Sequence, residues 1–327
     1  MKKICLTFLI VILFTITGCG KNDDIIKTIK NKIEKSKSYE LEGELEITNN
    51  ENTYKYDVEV SYKKDDNFRV MLKNKINDHE QIILKNKSGV FVLTPSLNKS
   101  FKFQSEWPYN NSQSYLLQNI INDIENDNNK KIEKNDKGYV IIVGANYTNN
   151  KELTTQKIYV NLKGEIQKVE VLNKDNIVKI KMNFKKIKYN SKIDNNIFDL
   201  ISNMKQNDKT TISLSEIEDI IYPMYVPENT YLENEERVSL NNGERVILTF
   251  AGDKPFTIIE ETAQYDNGET KEVYGDVELL MDVFGYIDDG LASWISNGIE
   301  YCAVSENLND DELLKIVNSI SVIPVGK

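Results

Sequence analysis

The chain has 327 residues, with 41 Lys plus Arg against 51 Asp plus Glu and a single histidine, His79. That length is about two ordinary domains, and 40% hydrophobic with 28% charged residues is a globular composition, not a disordered or fibrous one. A formal net charge of −10 excludes an all-over nucleic-acid-binding surface, and one histidine removes most routes to a hydrolytic triad or a His-ligated metal.

Lys2 and Lys3 precede an apolar run from Ile4 to Ile16. The run is shorter than the ~20 residues that cross a bilayer as a helix, and it fits a secretory signal. It ends Ile16-Thr17-Gly18-Cys19, which resembles the lipobox of bacterial lipoprotein signal peptides. The resemblance implies that residues 1–18 are removed and that Cys19 is acylated, palmitate-type, on the extracytoplasmic face of the cell membrane. An uncleaved anchor, or a secreted protein with a stray cysteine, is the alternative. Cys5 leaves with the signal peptide, so Cys302 remains without a disulfide partner and is expected as a small buried hydrophobe.

Asn22 or Asp23 can cap a helix with Ile25, Ile26, Ile29 and Ile33 on one stripe. Lys27, Lys30, Lys32, Lys35 and Lys37 take the other face, solvated or set against anionic headgroups. From Tyr39 the period becomes two. Tyr39, Leu41, Gly43, Leu45 and Ile47 alternate with Glu40, Glu42, Glu44 and Glu46, and Tyr54 to Tyr62 repeats the pattern. Strand-like runs follow at 68–72, 80–85, 88–94, 100–104, 139–144, 154–161, 165–172 and 177–189, separated by turn signals such as Asp65-Asp66-Asn67 and Lys163-Gly164. Alternation predicts antiparallel sheet with one dry face, curled by the number of strands. Trp107 to Asp127 breaks the pattern. Tyr115, Leu116, Asn119, Ile120 and Ile124 lie within helical reach, which predicts a helix laid as a plug or lid on the concave side.

These features resemble LolA-type lipoprotein carriers. They are closer still to the lipid-anchored relatives in spore-forming Gram-positive bacteria, the GerS-like and YdcC-like sporulation lipoproteins. The resemblance spans residues 24–200 and is most specific at 105–124, SEWPYNNSQSYLLQNIINDI. It implies a mainly β LolA-like antiparallel half-barrel with a helical lid over residues 19–200. In the carriers such a cavity holds acyl chains, and they place an arginine near the lid, for which Arg69 is the position to watch beside its plainer reading as a surface residue. Tyr56, Phe68, Phe91, Phe101, Trp107, Leu116 and Ile120 are the candidate cavity and lid residues. The alternative is that their aromatic alternation is ordinary sheet core.

A polar linker is expected at 201–209, then a smaller acidic α+β domain over 210–327. Strand candidates lie at 229–240, 244–251, 255–263 and 270–282. Asn297-Gly298 marks a hairpin after Ala292 to Ile295, and Asn309 caps a last helix from Asp310 to Ser319. This tail resembles the DUF4367-like domain of many Gram-positive lipoproteins, a family without assigned chemistry.

No Gly-x-Ser-x-Gly, His-Glu-x-x-His, phosphate loop or dinucleotide glycine pattern is present, and no cofactor is expected. Asp288-Asp289 and Asp310-Asp311 sit among turn and helix-cap residues. The resulting expectation is a non-catalytic, membrane-anchored regulatory module of sporulation or germination, partnering a cell-wall (cortex peptidoglycan) amidase. The alternative is a carrier or sensor of a lipid ligand. Pairing of two copies through an exchanged strand stays open. Charge divides the chain sharply: residues 206–327 hold 7 basic against 25 acidic side chains, a net of −18, while residues 1–205 are net +8. A basic membrane-side half beside an acidic outer half favours a basic partner for the latter.

Overall fold

A computed structural model describes residues 20–49, 52–147, 150–204, 216–265, 268–280 and 283–320. The expected signal segment and Cys19 lie outside the described residues, as does most of the expected linker.

Helix α1 (Gly20–Glu34) turns its isoleucine stripe inward, burying Ile25, Ile29 and Ile33. Its lysines are not simply solvated. Lys30 pairs with Glu125, and Lys32 lies 3.6 Å from Glu165 and over the Tyr189 ring. The alternating runs then form β1 (Ser38–Asn49), β2 (Asn52–Lys63), β3 (Asn67–Asn74), β4 (Glu80–Asn86), β5 (Gly89–Thr94) and β6 (Lys99–Phe103). Helix α2 (Leu117–Asn126) follows. After it come β7 (Lys131–Asn135), β8 (Gly138–Gly144), β9 (Leu153–Asn161), β10 (Ile166–Asn173) and β11 (Val178–Tyr189). These strands are antiparallel neighbours, with β1 and β11 adjacent at the centre. The sheet stays open, as a half-barrel does.

Parity places one residue in two on the inner face. Leu41 opposite Val60 and Leu45 opposite Tyr56 are all buried there. Gly43 is forced by the close approach of β11: a Cβ would come within 2.5 Å of the Asn183 carbonyl oxygen. Both helices pack on this face, α1 through its isoleucines and α2 through Leu117, Ile120, Ile121 and Ile124. Sequence spacing suggested that Tyr115 and Leu116 were helical. They precede the helix, with Leu116 extended as its N-cap, because their side chains are buried before the first turn begins.

The outer face carries a smaller core. Ile193 and Phe198 pack there on Ile82, Leu84, Phe91 and Leu93, with α3 (Leu200–Met204) alongside. Part of the expected linker is therefore helical, because Leu200 and Met204 find apolar cover on this face.

The second sheet has the order β12-β13-β14-β19-β18-β17-β16. Its strands are β12 (Thr230–Leu240), β13 (Gly243–Gly252), β14 (Phe256–Thr262), β16 (Asp276–Leu280), β17 (Val283–Asp288), β18 (Leu291–Ser296) and β19 (Ile299–Val304). Helix α4 (Asp310–Ser319) covers one face and starts with a reciprocal Asn309–Glu312 capping box. Asn297 and Gly298 both have positive φ, 49° and 79°, as a two-residue hairpin between β18 and β19 requires. The single strand expected at 270–282 is two. β15 (Thr270–Val273) leaves its own sheet and joins the half-barrel, parallel to β6, with Thr270 beside Ser100 and Val273 beside Phe103. Gly275 at φ 102° turns the chain back so that β16 can rejoin the second sheet.

Candidate functional site: the filled mouth of the half-barrel

The predicted cavity residues separate by face. Phe68, Trp107, Leu116 and Ile120 are fully buried on the inner side, and Tyr56 and Phe101 share that core. Phe68 meets Trp107 edge-on at 5.9 Å, and a ladder of rings runs from Tyr39 through Tyr62 to Phe68 at 5.1 and 4.9 Å. Phe91 does not belong with them. It lies on the outer face against Ile193 and Phe198. Strand β5 reads Val90-Phe91-Val92-Leu93, apolar on both parities, so alternation could not show which side Phe91 takes. Arg69 is also turned outward. Its Nε donates to Asn203 Oδ1 at 2.7 Å, away from the α2 lid.

The inner face continues directly into the second sheet. Val277 and Phe284 are buried in the half-barrel core, and the partly buried Leu279 and Tyr286 pack against it. Gln81 clamps Phe284 from below: its Nε2 donates to the Phe284 carbonyl at 3.0 Å, and its Oε1 accepts from the Phe284 N–H at 2.8 Å. The Phe284 ring stands edge-on to Tyr115 at 6.4 Å, and Tyr286 is edge-on to Phe103 at 6.2 Å. Next to Phe284, Gly285 admits no side chain, since a Cβ would lie 2.2 Å from the Ser293 carbonyl oxygen. Around the rim Ser105 donates to Asp276 at 2.7 Å and Asn111 to Glu278 at 3.0 Å.

Among the described residues two small gaps lie between the sheets. One lies among Leu45, Tyr56, Leu72, His79 and Phe284, with a volume of about 10 Å³. The other lies among Phe101, Phe103, Tyr286 and Trp294, at about 20 Å³. Each holds about one water molecule. Ligand pockets are usually hundreds of Å³, so neither gap has room for an acyl chain beside the plug.

Gln81 and Phe284 went unseen in the sequence, although Gln81 carried a signal. It occupies an inward parity position between Ile83 and the buried Asn74, and a polar side chain there requires a buried partner. Phe284 lay beyond the expected strand end.

The electrostatics are those of buried, unused groups. Burial pushes the His79 imidazole down to about 4, and its Nε2 has no partner. On α2, burial pushes Asp123 up to about 6 although Gln156 donates to it at 3.1 Å. In the second sheet burial pushes Glu260 up to about 7, with the Ile221 N–H its hydrogen-bond donor. Asp310 accepts from the Gly290 N–H and Asp311 pairs with Lys151, so the adjacent carboxylates serve a turn and the junction between sheets. Cys302 is half-buried, and burial raises its thiol to about 11. Among the described residues no three His, Cys, Asp or Glu side chains converge as metal ligands.

Comparison with known proteins places the chain. Residues 1–198 match the sporulation protein YdcC-like family. The chain belongs to that family. "Sporulation protein YdcC" of Bacillus subtilis (strain 168) is 32% identical over 98% of both chains, so family likeness extends through the second sheet. Among solved structures, a LolA superfamily protein from Nitrosomonas europaea is 12% identical with a TM-score of 0.32, covering 54% of this chain and 97% of its own. A chain of the CwlD amidase complex with the GerS lipoprotein from Clostridioides difficile is 17% identical with a TM-score of 0.25, covering 53% of this chain and 98% of its own.

Proposed function

We propose that this protein is a membrane-anchored, non-catalytic interaction module of sporulation or germination. It is held by acylated Cys19 on the extracytoplasmic face of the cell membrane, outside the cell or in the intermembrane space of a forming spore, and partners a cell-wall amidase. The observation that carries the reading is the filled mouth: the chain's own Phe284 and Tyr286 occupy the concave face on which a lipid carrier would hold its cargo. What is left to offer another molecule is surface. Membership in a sporulation family supplies the setting. The amidase as partner class comes from the resemblance at residues 105–124.

Affinity capture of the tagged full-length chain from sporulating cells tests this. A wall hydrolase should co-purify, and Cys19→Ser should move the chain from the membrane to the soluble fraction. Capture without any hydrolase would refute the partner. Native mass spectrometry showing a stoichiometric bound lipid would favour the carrier reading instead.

A further inference from the structure

Strand β12 is the outer edge of the second sheet, eleven residues long. It pairs with β13 on one side, and among the described residues no strand lies on the other. From Tyr231 to Arg237 every side chain is exposed, on both faces of the strand. Long open edges are normally blunted by charged side chains, proline, bulges, shortness or a covering element. β12 has no proline and is not short; its guards against indiscriminate pairing are its charges and the bulge between Leu232 and Asn234, so only a segment of complementary charge can add to it. The basic edge β7 at the far end of the half-barrel is the ordinary case, five residues with Lys131 and Lys134.

Two further features mark β12. Exposed apolar side chains lie on and just before it in the chain: Met224 is 78% exposed and Tyr231 60%, with Tyr222, Tyr225 and Leu232 also open to solvent, and Tyr222 reaches the strand at Glu235. Exposed apolar clusters of this kind mark contact surfaces. The strand is also acidic, with Glu233, Glu235 and Glu236 in sequence. Glu235 accepts from the Tyr222 hydroxyl at 2.5 Å, whereas Glu233 and Glu236 have no ion-pair partner among the described residues. Antiparallel pairing of β12 with a second β12, centred on Glu233, Asn234, Glu235 or Glu236, sets glutamate against glutamate, which is destabilising. The same charges favour lysine or arginine opposite them.

We infer that the open edge of β12 is a docking site for an extended, basic segment of a partner protein, which adds to the second sheet as an eighth strand while its apolar side chains rest on Tyr231. This inference rests on the interaction-module reading and names its surface. Main-chain hydrogen bonds supply affinity in such strand addition, and alternate side chains supply specificity.

The test uses a synthetic decapeptide alternating lysine and valine, titrated into the full-length protein by fluorescence anisotropy, with hydrogen exchange read residue by residue. Protection should appear at the amides of 231–237. Methylating alternate peptide nitrogens should abolish binding, and Glu233→Lys with Glu236→Lys should weaken it about tenfold while leaving the circular dichroism spectrum unchanged. An N-methylated peptide that binds equally well, protection elsewhere, or self-association of the protein through β12 at low salt would each overturn the strand addition. If hydrolase capture survives the double lysine substitution, the edge is not the docking site while the module reading stands. Loss of capture in the unsubstituted protein removes the module reading itself.

Discussion

His79 and Glu260 are buried groups whose titrations oppose each other. Burial lowers the His79 imidazole to about 4, so the unfolded chain takes up its proton first as the pH falls below about 6.5. The stability His79 contributes is present above that value and is lost down to about pH 4. Glu260 is raised to about 7, so the folded protein holds its proton more tightly than the unfolded chain. Its contribution is fully present near pH 4.5 and is lost as the pH rises through 7. Each effect amounts to about 2 kcal/mol by pH 5, with opposite sign. These two effects nearly cancel in the wild-type protein between pH 7 and 5, which leaves the gain of about 1 kcal/mol that Asp123, raised to about 6, brings as the pH falls. His79→Gln should gain stability over that interval, and Glu260→Gln should lose it. Urea denaturation at pH 7.5, 6 and 5 reads both, and parallel curves for the three proteins would disprove the assignment.

At the scale of elements, the Gln81 clamp fastens β17 to β4. Gln81→Ala leaves the Phe284 N–H and carbonyl buried without partners, at a cost of about 2–4 kcal/mol. Phe284→Ala should cost about 3–5 kcal/mol by opening a cavity at the mouth. Hydrogen exchange at 283–287 should accelerate in both variants ahead of the β1–β2 amides. Equal protection of β17 in Gln81→Ala would show that the clamp is dispensable. Elements with strict alternation were legible in the sequence, because one wet and one dry face imprint a period of two. β7 was not: Lys131-Ile132-Glu133-Lys134-Asn135 is an exposed edge that buries almost nothing and so carries no apolar period. The split of 270–282 was illegible for another reason. Thr270 to Val273 and Asp276 to Leu280 both look like strand, and only the second sheet's position beside β6 sends them to different partners. The inward placement of Tyr56 and Phe68 was legible because their strands have a polar side. Alternation failed at Phe91, where Ile193 and Phe198 made both sides dry.

Across the whole molecule the contrast between basic and acidic halves is partly consumed internally. Lys99 pairs with Glu300, Lys102 with Glu272 at 3.3 Å and Lys151 with Asp311 at 2.6 Å. Lys99 is buried, while the other two pairs are exposed and contribute about 0–1 kcal/mol each, so the apolar plug dominates the junction. Calorimetry should show one cooperative transition, its midpoint moved by only about 2 °C between low and high salt. Two resolved peaks would mean that the sheets unfold independently. The strand that β15 adds to β6 also sets an order of events in time. Ser100 waits for Thr270, 170 positions further on, before that edge can close. A polypeptide that emerges amino end first holds an unfinished sheet and an uncovered apolar mouth until its last third arrives. A chain ending at Phe198, where the family match stops, never receives either, and would remain a sticky intermediate for as long as it existed.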